Sequence, residues 1–189
     1  ELFLNILREI ENEHIDIIEE CSRIVANVDV LLNKCHIAQK YNYCCPIIDN
    51  ESQEKAFVKA TGLRHILIEH LNTNEIYVSN DLCIGKEDTG IETNKDEIYV
   101  NGMLLFGANT SGKTSNMRAL GIAVIMAQAG MYVPCKSFIY KPYHSLYSRI
   151  LNQDNFFKGL STFAVEMSEL RVILKYADEN SLVLGDELC

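Results

Sequence analysis

No uninterrupted apolar run in these 189 residues approaches the roughly 20 residues that cross a bilayer, and no signal-peptide pattern is visible. A membrane role is therefore not expected. Clusters of Lys and Arg are also missing. Seventeen basic against 26 acidic residues leave a net charge of −9. That balance argues against this segment gripping DNA itself, because phosphate contacts need clustered cations. None of the seven cysteines, Cys21, Cys35, Cys44, Cys45, Cys83, Cys135 and Cys189, forms a Cys-x-x-Cys pair. A zinc or thioredoxin-like site is thus poorly supported, and buried, reduced thiols of a cytosolic or nuclear protein are expected. The histidines, His14, His36, His65, His70 and His144, are equally dispersed, and none is assigned to metal. Internal repeats and low-complexity tracts are absent.

Glycine and proline are missing from the first 40 residues. Ile10, Ile17, Ile24 and Leu31 recur every seven residues, as do His14, Cys21, Val28 and Cys35. This predicts one long helix with an apolar seam, roughly 60 Å at 1.5 Å per residue. Cys44-Cys45-Pro46 should end it. From Pro46 to Tyr99 the pattern suggests short strands and polar turns, including Ile76–Val78 and Ile98–Val100. The charged, turn-rich stretch Gly85–Asp96 suggests a surface loop.

The most specific feature is Gly107-Ala108-Asn109-Thr110-Ser111-Gly112-Lys113-Thr114, a complete G-x-x-x-x-G-K-[ST] phosphate-binding pattern. Met103–Phe106 before it suits a buried parallel strand, and Ser115–Ala129 after it suits a helix. Gly107 and Gly112 let the backbone turn its N–H groups around a phosphate. Lys113 adds a point charge at the β- and γ-phosphates, the Thr114 hydroxyl suits Mg²⁺, and the helix start adds a favourable dipole. Downstream, Leu182-Val183-Leu184-Gly185-Asp186-Glu187 is an apolar strand ending in two carboxylates. Asp186 suits Mg²⁺, and Glu187 suits activation of an attacking water. Gly159-Leu160-Ser161-Thr162-Phe163 precedes a helical stretch, Ala164–Ala177. Ser161 or Thr162 caps that helix, or the capped helix start is an anion site facing a γ-phosphate, including that of a second subunit.

From Gly107 to Glu187 the chain resembles the ATPase domain of the MutS family of DNA mismatch-repair proteins. Gly107–Thr114 resembles that family's phosphate loop, with Asn109 at its asparagine. Met117-Arg118, Gly130-Met131-Tyr132-Val133-Pro134, Gly159–Met167 and Ser181–Glu187 resemble four further blocks in the family order. Weaker likeness extends upstream through Asp29–Asn33, Tyr41–Pro46, Leu63-Arg64-His65 and Ile76–Leu82. In the last segment, Tyr77 matches the aromatic that stacks on adenine. Ala108 stands where the loop usually has proline, and Ile66 stands where proline usually follows Arg-His. Leu188-Cys189 resembles the branch found in plant organelles and giant viruses.

The resemblance implies an α/β P-loop NTPase (ABC-type) domain with a mainly parallel central sheet, preceded by a long α-helix. Residues 1–45 would end a lever-helix domain. Residues 46–189 would be an ATPase domain truncated after the strand carrying Asp186. ATP would bind along Gly107, Ala108, Asn109, Thr110, Ser111, Gly112, Lys113, Thr114 and Ser115, with Tyr77 on the base. Thr114 and Asp186 would hold Mg²⁺, while Glu187, Lys113 and Ser161 would act in hydrolysis. The parent protein would bind mismatched double-stranded DNA through domains outside this fragment. It would work as a homodimer or MutS-like heterodimer with composite ATP sites, in the cytoplasm, nucleus or an organelle. The fragment alone would be a weak or inactive enzyme. Two alternatives stay open: a MutS-like relative in recombination control or ribosome rescue, and a nucleotide-binding module without turnover.

Overall fold

The computed structural model describes residues 1–50, 55–71, 77–87, 98–108, 111–150 and 162–186. It divides into two compact units, Glu1–Tyr41 and Asn42–Cys189.

The first unit is a single helix, α1 (Leu2–Tyr41). Uninterrupted helix-compatible residues let its backbone hydrogen bonds run for forty positions. Side chains add local braces: the Ser22 hydroxyl donates to the Ile18 carbonyl at 2.8 Å, and the Asn33 amide donates to the Asp29 carbonyl at 2.9 Å. Lys40 lies in the last turn, where a cation suits the helix dipole. The helix stops before Pro46, because Asn42 adopts a left-handed backbone with φ 53°. Ile10, Ile17, Ile24, Val28 and Leu31 of the seven-residue seam are exposed. Among the described residues, no helix is long and apolar enough to cross a membrane.

The second unit holds β1 (Ile47–Ile48), β2 (Phe57–Leu63), α2 (Ile66–Leu71), β3 (Asn80–Glu87), β4 (Ile98–Val100), α3 (Lys113–Gln128), β5 (Ser137–Lys141), β6 (Ser145–Arg149), α4 (Thr162–Tyr176) and β7 (Ser181–Gly185). Five strands form one sheet in the order β1-β5-β2-β3-β4. Only β1–β5 is parallel there; β2–β5, β2–β3 and β3–β4 are antiparallel. β6 and β7 form a separate parallel pair, with α4 in the crossover that parallel strands need. Phe138, Leu63, Val58, Val124, Val133 and Cys135 are among the most deeply buried side chains, and α3 packs on β2. Burying one such large apolar side chain stabilises the fold by about 1.5–3 kcal/mol.

This architecture corrects the expected P-loop NTPase (ABC-type) fold. The larger sheet is mixed and mostly antiparallel, not a mainly parallel central sheet. Met103–Phe106 is not a buried strand: residues 101–108 carry no strand assignment, and Leu104 and Phe106 are 87% and 90% exposed. The apolar run has no pairing strand among the described residues, since β7 pairs with β6. Gly85–Glu87, expected in a loop, closes β3, while 88–97 lie outside the described residues. The expected strand at Ile76–Val78 is also absent where described: Tyr77 and Val78 precede β3 without pairing.

The thiols depart from expectation as well. Cys21, Cys35 and Cys45 are exposed, and among the described residues only Cys135 is buried. Cys135 is 1% exposed. Its thiol is pushed up to about 12, first by burial and then by Cys44, with Arg64 opposing. The thiolate is the reactive form. Iodoacetamide at pH 8 should therefore label Cys21, Cys35 and Cys45 and spare Cys135 until the chain unfolds. Peptide mass spectrometry reads this directly. Labelling of Cys135 as fast as Cys21 would contradict its placement in the core.

Candidate nucleotide site

The site is built where α3 begins. Gly112 caps this helix with φ 88°, a left-handed backbone that glycine adopts without a Cβ penalty. Gly112 brings no capping side chain, and helix geometry gives the first N–H groups of α3 no intrahelical acceptor. The Ser111 N–H donates to the Ala108 carbonyl at 3.2 Å, which folds the loop back on itself. The Lys113 ammonium donates to the Gly107 carbonyl at 2.7 Å and to that of Ala108 at 3.1 Å. The lysine thus lies along the loop it belongs to, with its charge at the loop's concave backbone. Asn109 and Thr110 lie outside the described residues.

One turn on, the Thr114 hydroxyl donates to Asp186 Oδ2 at 2.6 Å. These residues are 72 positions apart. β7 carries Asp186 to this point, because its parallel pairing with β6 runs in register from Ser145↔Ser181 to Arg149↔Gly185. The Asp186 N–H then donates to the Arg149 carbonyl at 2.8 Å, which fixes the residue just beyond the strand end. The paired hydroxyl and carboxylate are hard oxygen donors, the chemistry that Mg²⁺ takes with one or two protein ligands. Among the described residues, no group of three or more His, Cys, Asp and Glu is placed to hold a metal ion.

Two cavities meet at Lys113. One, of about 700 Å³, runs between the β3–β4 end, residues 101–105 and β7, with Lys113 and Asp186 in its wall. The other, of about 440 Å³, has Tyr77, Val78, Ile68 and Phe106 on its apolar side and Ser111, Gly112, Lys113, Ser115 and Asn116 on its polar side. Tyr77 therefore shares a cavity with the phosphate loop. Burial raises its phenol, and the Glu69 charge raises it further, while a hydrogen bond from the His65 backbone acts the other way. The ring stays neutral and suits stacking against a flat partner.

Glu187 and Ser161 lie outside the described residues. Two residues that the sequence patterns do not single out stand near the site. Asn116 Oδ1 is buried in the wall of the Tyr77 cavity and has no hydrogen-bond partner among the described residues. Arg149 is a buried charge at the end of β6.

The loop, the threonine–carboxylate pair and the adjoining cavities form one candidate site in a unit of mixed α and β structure. Comparison with known proteins is more particular. Residues 103–189 match the family model MutS domain V. The chain is 37% identical over 201 residues to a MutS homologue for DNA mismatch repair from Acanthamoeba polyphaga mimivirus, covering 94% of this chain and 18% of that protein. It is 41% identical over 168 residues to the mitochondrial DNA mismatch repair MutS homologue of Sarcophyton glaucum, covering 88% and 16%. Against the DNA mismatch repair protein MutS of Staphylococcus saprophyticus it is 35% identical over 182 residues, covering 96% and 19%. The chain belongs to the MutS family. It spans less than a fifth of the length of these relatives.

Proposed function

We propose that the second unit binds ATP with Mg²⁺ and hydrolyses it, as the nucleotide-driven part of a DNA mismatch-repair protein. The observation that carries this reading is the 2.6 Å contact between Thr114 and Asp186, beside a lysine folded into a glycine-bounded loop. Lys113 neutralises phosphate charge, and the N–H groups at the start of α3 donate hydrogen bonds to phosphate oxygens. Thr114 and Asp186 hold Mg²⁺, which when bound offsets charge on the β- and γ-phosphates. Tyr77 supplies a ring face for the base. Glu187 takes a proton from the attacking water, and Ser161 meets the γ-phosphate held by a partner subunit. By this reading the working unit is a homodimer or a heterodimer with a MutS-like partner. Mismatched double-stranded DNA would be held by other parts of the protein. The relatives' names, which include DNA mismatch repair, support that context. The mitochondrial relative supports an organelle as one location, beside cytoplasm and nucleus.

Calorimetric titration of ATP with and without Mg²⁺ tests the reading. The parent chain should bind ATP more tightly with Mg²⁺ present. Asp186→Asn should cost about tenfold in Mg²⁺-dependent affinity, from losing one charged contact of about 1.5 kcal/mol. Unchanged Mg²⁺ dependence would remove Asp186 from the site. ATP binding without phosphate release from the full-length protein would reduce the reading to a nucleotide-binding module.

A further inference from the structure

We infer that Arg149 is a positioning residue that ties α4 to the Asp186 end of the site. This rests on the proposed Mg²⁺–nucleotide reading and extends it to a residue outside the loop. Arg149 is 8% exposed, although it carries a full charge. Its Nε lies 2.8 Å from Glu169 Oε2, and its Nη2 lies 3.9 Å from Glu166 Oε2. Both carboxylates sit on α4. Glu166 is nearly as buried as the arginine, while Glu169 is half exposed.

The same residue's backbone reaches the site. Arg149 pairs with Gly185 in the β6–β7 register, and its carbonyl accepts the Asp186 N–H at 2.8 Å. Its side chain therefore grips the helix, and its carbonyl holds the backbone N–H of the residue whose carboxylate meets Thr114. Between them the chain has no softer element than one residue. A shift of α4 along its axis drags the guanidinium, and through it the end of β6 and Asp186.

The grip also has slack. The Arg149 Nε–H finds no acceptor in line among the described residues, so its contact with Glu169 is an ion pair without an aligned hydrogen bond. A planar guanidinium with several donors can re-form such a pair after a small helix movement.

The test measures Mg²⁺ dependence of nucleotide binding, with no need for turnover. A fluorescent ATP analogue is titrated into the parent chain and into Arg149→Met at a series of Mg²⁺ concentrations, and again in EDTA. The Mg²⁺ concentration for half-maximal binding should rise about tenfold, as for loss of a group that orients a metal ligand. Binding in EDTA, which depends on Lys113, should stay unchanged. Glu166→Gln with Glu169→Gln should reproduce the shift, and Arg149→Lys should recover part of it. If Arg149→Met does not fold, the Lys variant and the double glutamine variant carry the same comparison. A lower melting temperature with an unmoved Mg²⁺ half-point in these variants would overturn the proposal and leave Arg149 as a structural residue. A parent chain that binds no nucleotide would overturn the underlying reading as well, so the two failures are distinguishable.

Discussion

Lys113→Ala is expected to weaken ATP binding about a hundredfold, with little loss of stability. The ammonium is the charged side chain that the loop places against its own backbone, through the Gly107 and Ala108 carbonyls. Carbonyl acceptors on an accessible loop are readily replaced by water, so removing the side chain costs the fold little. Phosphate is a different acceptor. Hydrogen bonds to charged groups are worth about 1.5–3 kcal/mol each, and one lysine reaching two phosphates carries two of them. Their combined loss is about 3 kcal/mol or more, and each 1.4 kcal/mol is roughly a factor of ten. Titration calorimetry gives the affinity, and a thermal melt of the same samples should agree within about 0.5 kcal/mol, the range of an ordinary surface change. Equal ATP affinity for variant and parent would end the phosphate-loop assignment.

The parts of the structure that were legible in the sequence are those fixed by local chemistry. α1 follows from forty positions without a helix breaker. α3 and β7 follow from apolar runs on either side of chemically specific residues. Strand direction was not legible. β2 reads Phe-Val-Lys-Ala-Thr-Gly-Leu and is buried along most of its length, and such a run says that a strand is covered without saying which way its neighbours point. Its pairing to β3 and β5 is long-range and antiparallel, which gives the mixed sheet. Leu104 and Phe106 show the converse error, because apolar composition alone cannot supply a partner strand. In the site, the motif residues Lys113, Thr114 and Asp186 carry their own signal, as does Tyr77 through its segment. Arg149 and Asn116 carry none, since their importance lies in burial and in partners brought up by the crossover through α4 and by the start of α3.

Gly85, which lines the larger cavity, and Gly121, within α3, should respond differently to the same added methyl group. Gly85, in β3, has φ 104°, a backbone that side-chain-bearing residues rarely hold. A Cβ there would lie 2.4 Å from Phe57 Cβ and 2.9 Å from Phe57 Cα. Phe57 belongs to β2, which is hydrogen-bonded to β3 on one edge and to β5 on the other, so its backbone has nowhere to retreat. Backbone strain of about 1–3 kcal/mol and overpacking of about 1–3 kcal/mol therefore add, and Gly85→Ala should lose roughly 2–6 kcal/mol. Gly121, in the middle of α3, faces a softer neighbour. Among the described residues its Cβ would meet only Leu184 Cδ1, at 2.7 Å, and that methyl can rotate away. Alanine also favours a helix over glycine by about 1 kcal/mol, which offsets the crowding. Gly121→Ala should thus leave stability within about 1 kcal/mol of the parent. Urea unfolding, followed by hydrogen exchange of the β2 amides, reports on the second unit alone. The midpoint should fall steeply for Gly85→Ala with an unchanged slope, and barely move for Gly121→Ala. Leu184 lies two residues before Asp186 in the β7 segment, so Gly121 also probes the site. If Leu184 failed to yield, β7 would be pushed from α3, and the Mg²⁺ dependence of ATP binding would weaken while the urea midpoint held. A Gly85→Ala chain as stable as the parent would contradict the close β2–β3 packing that shapes this cavity.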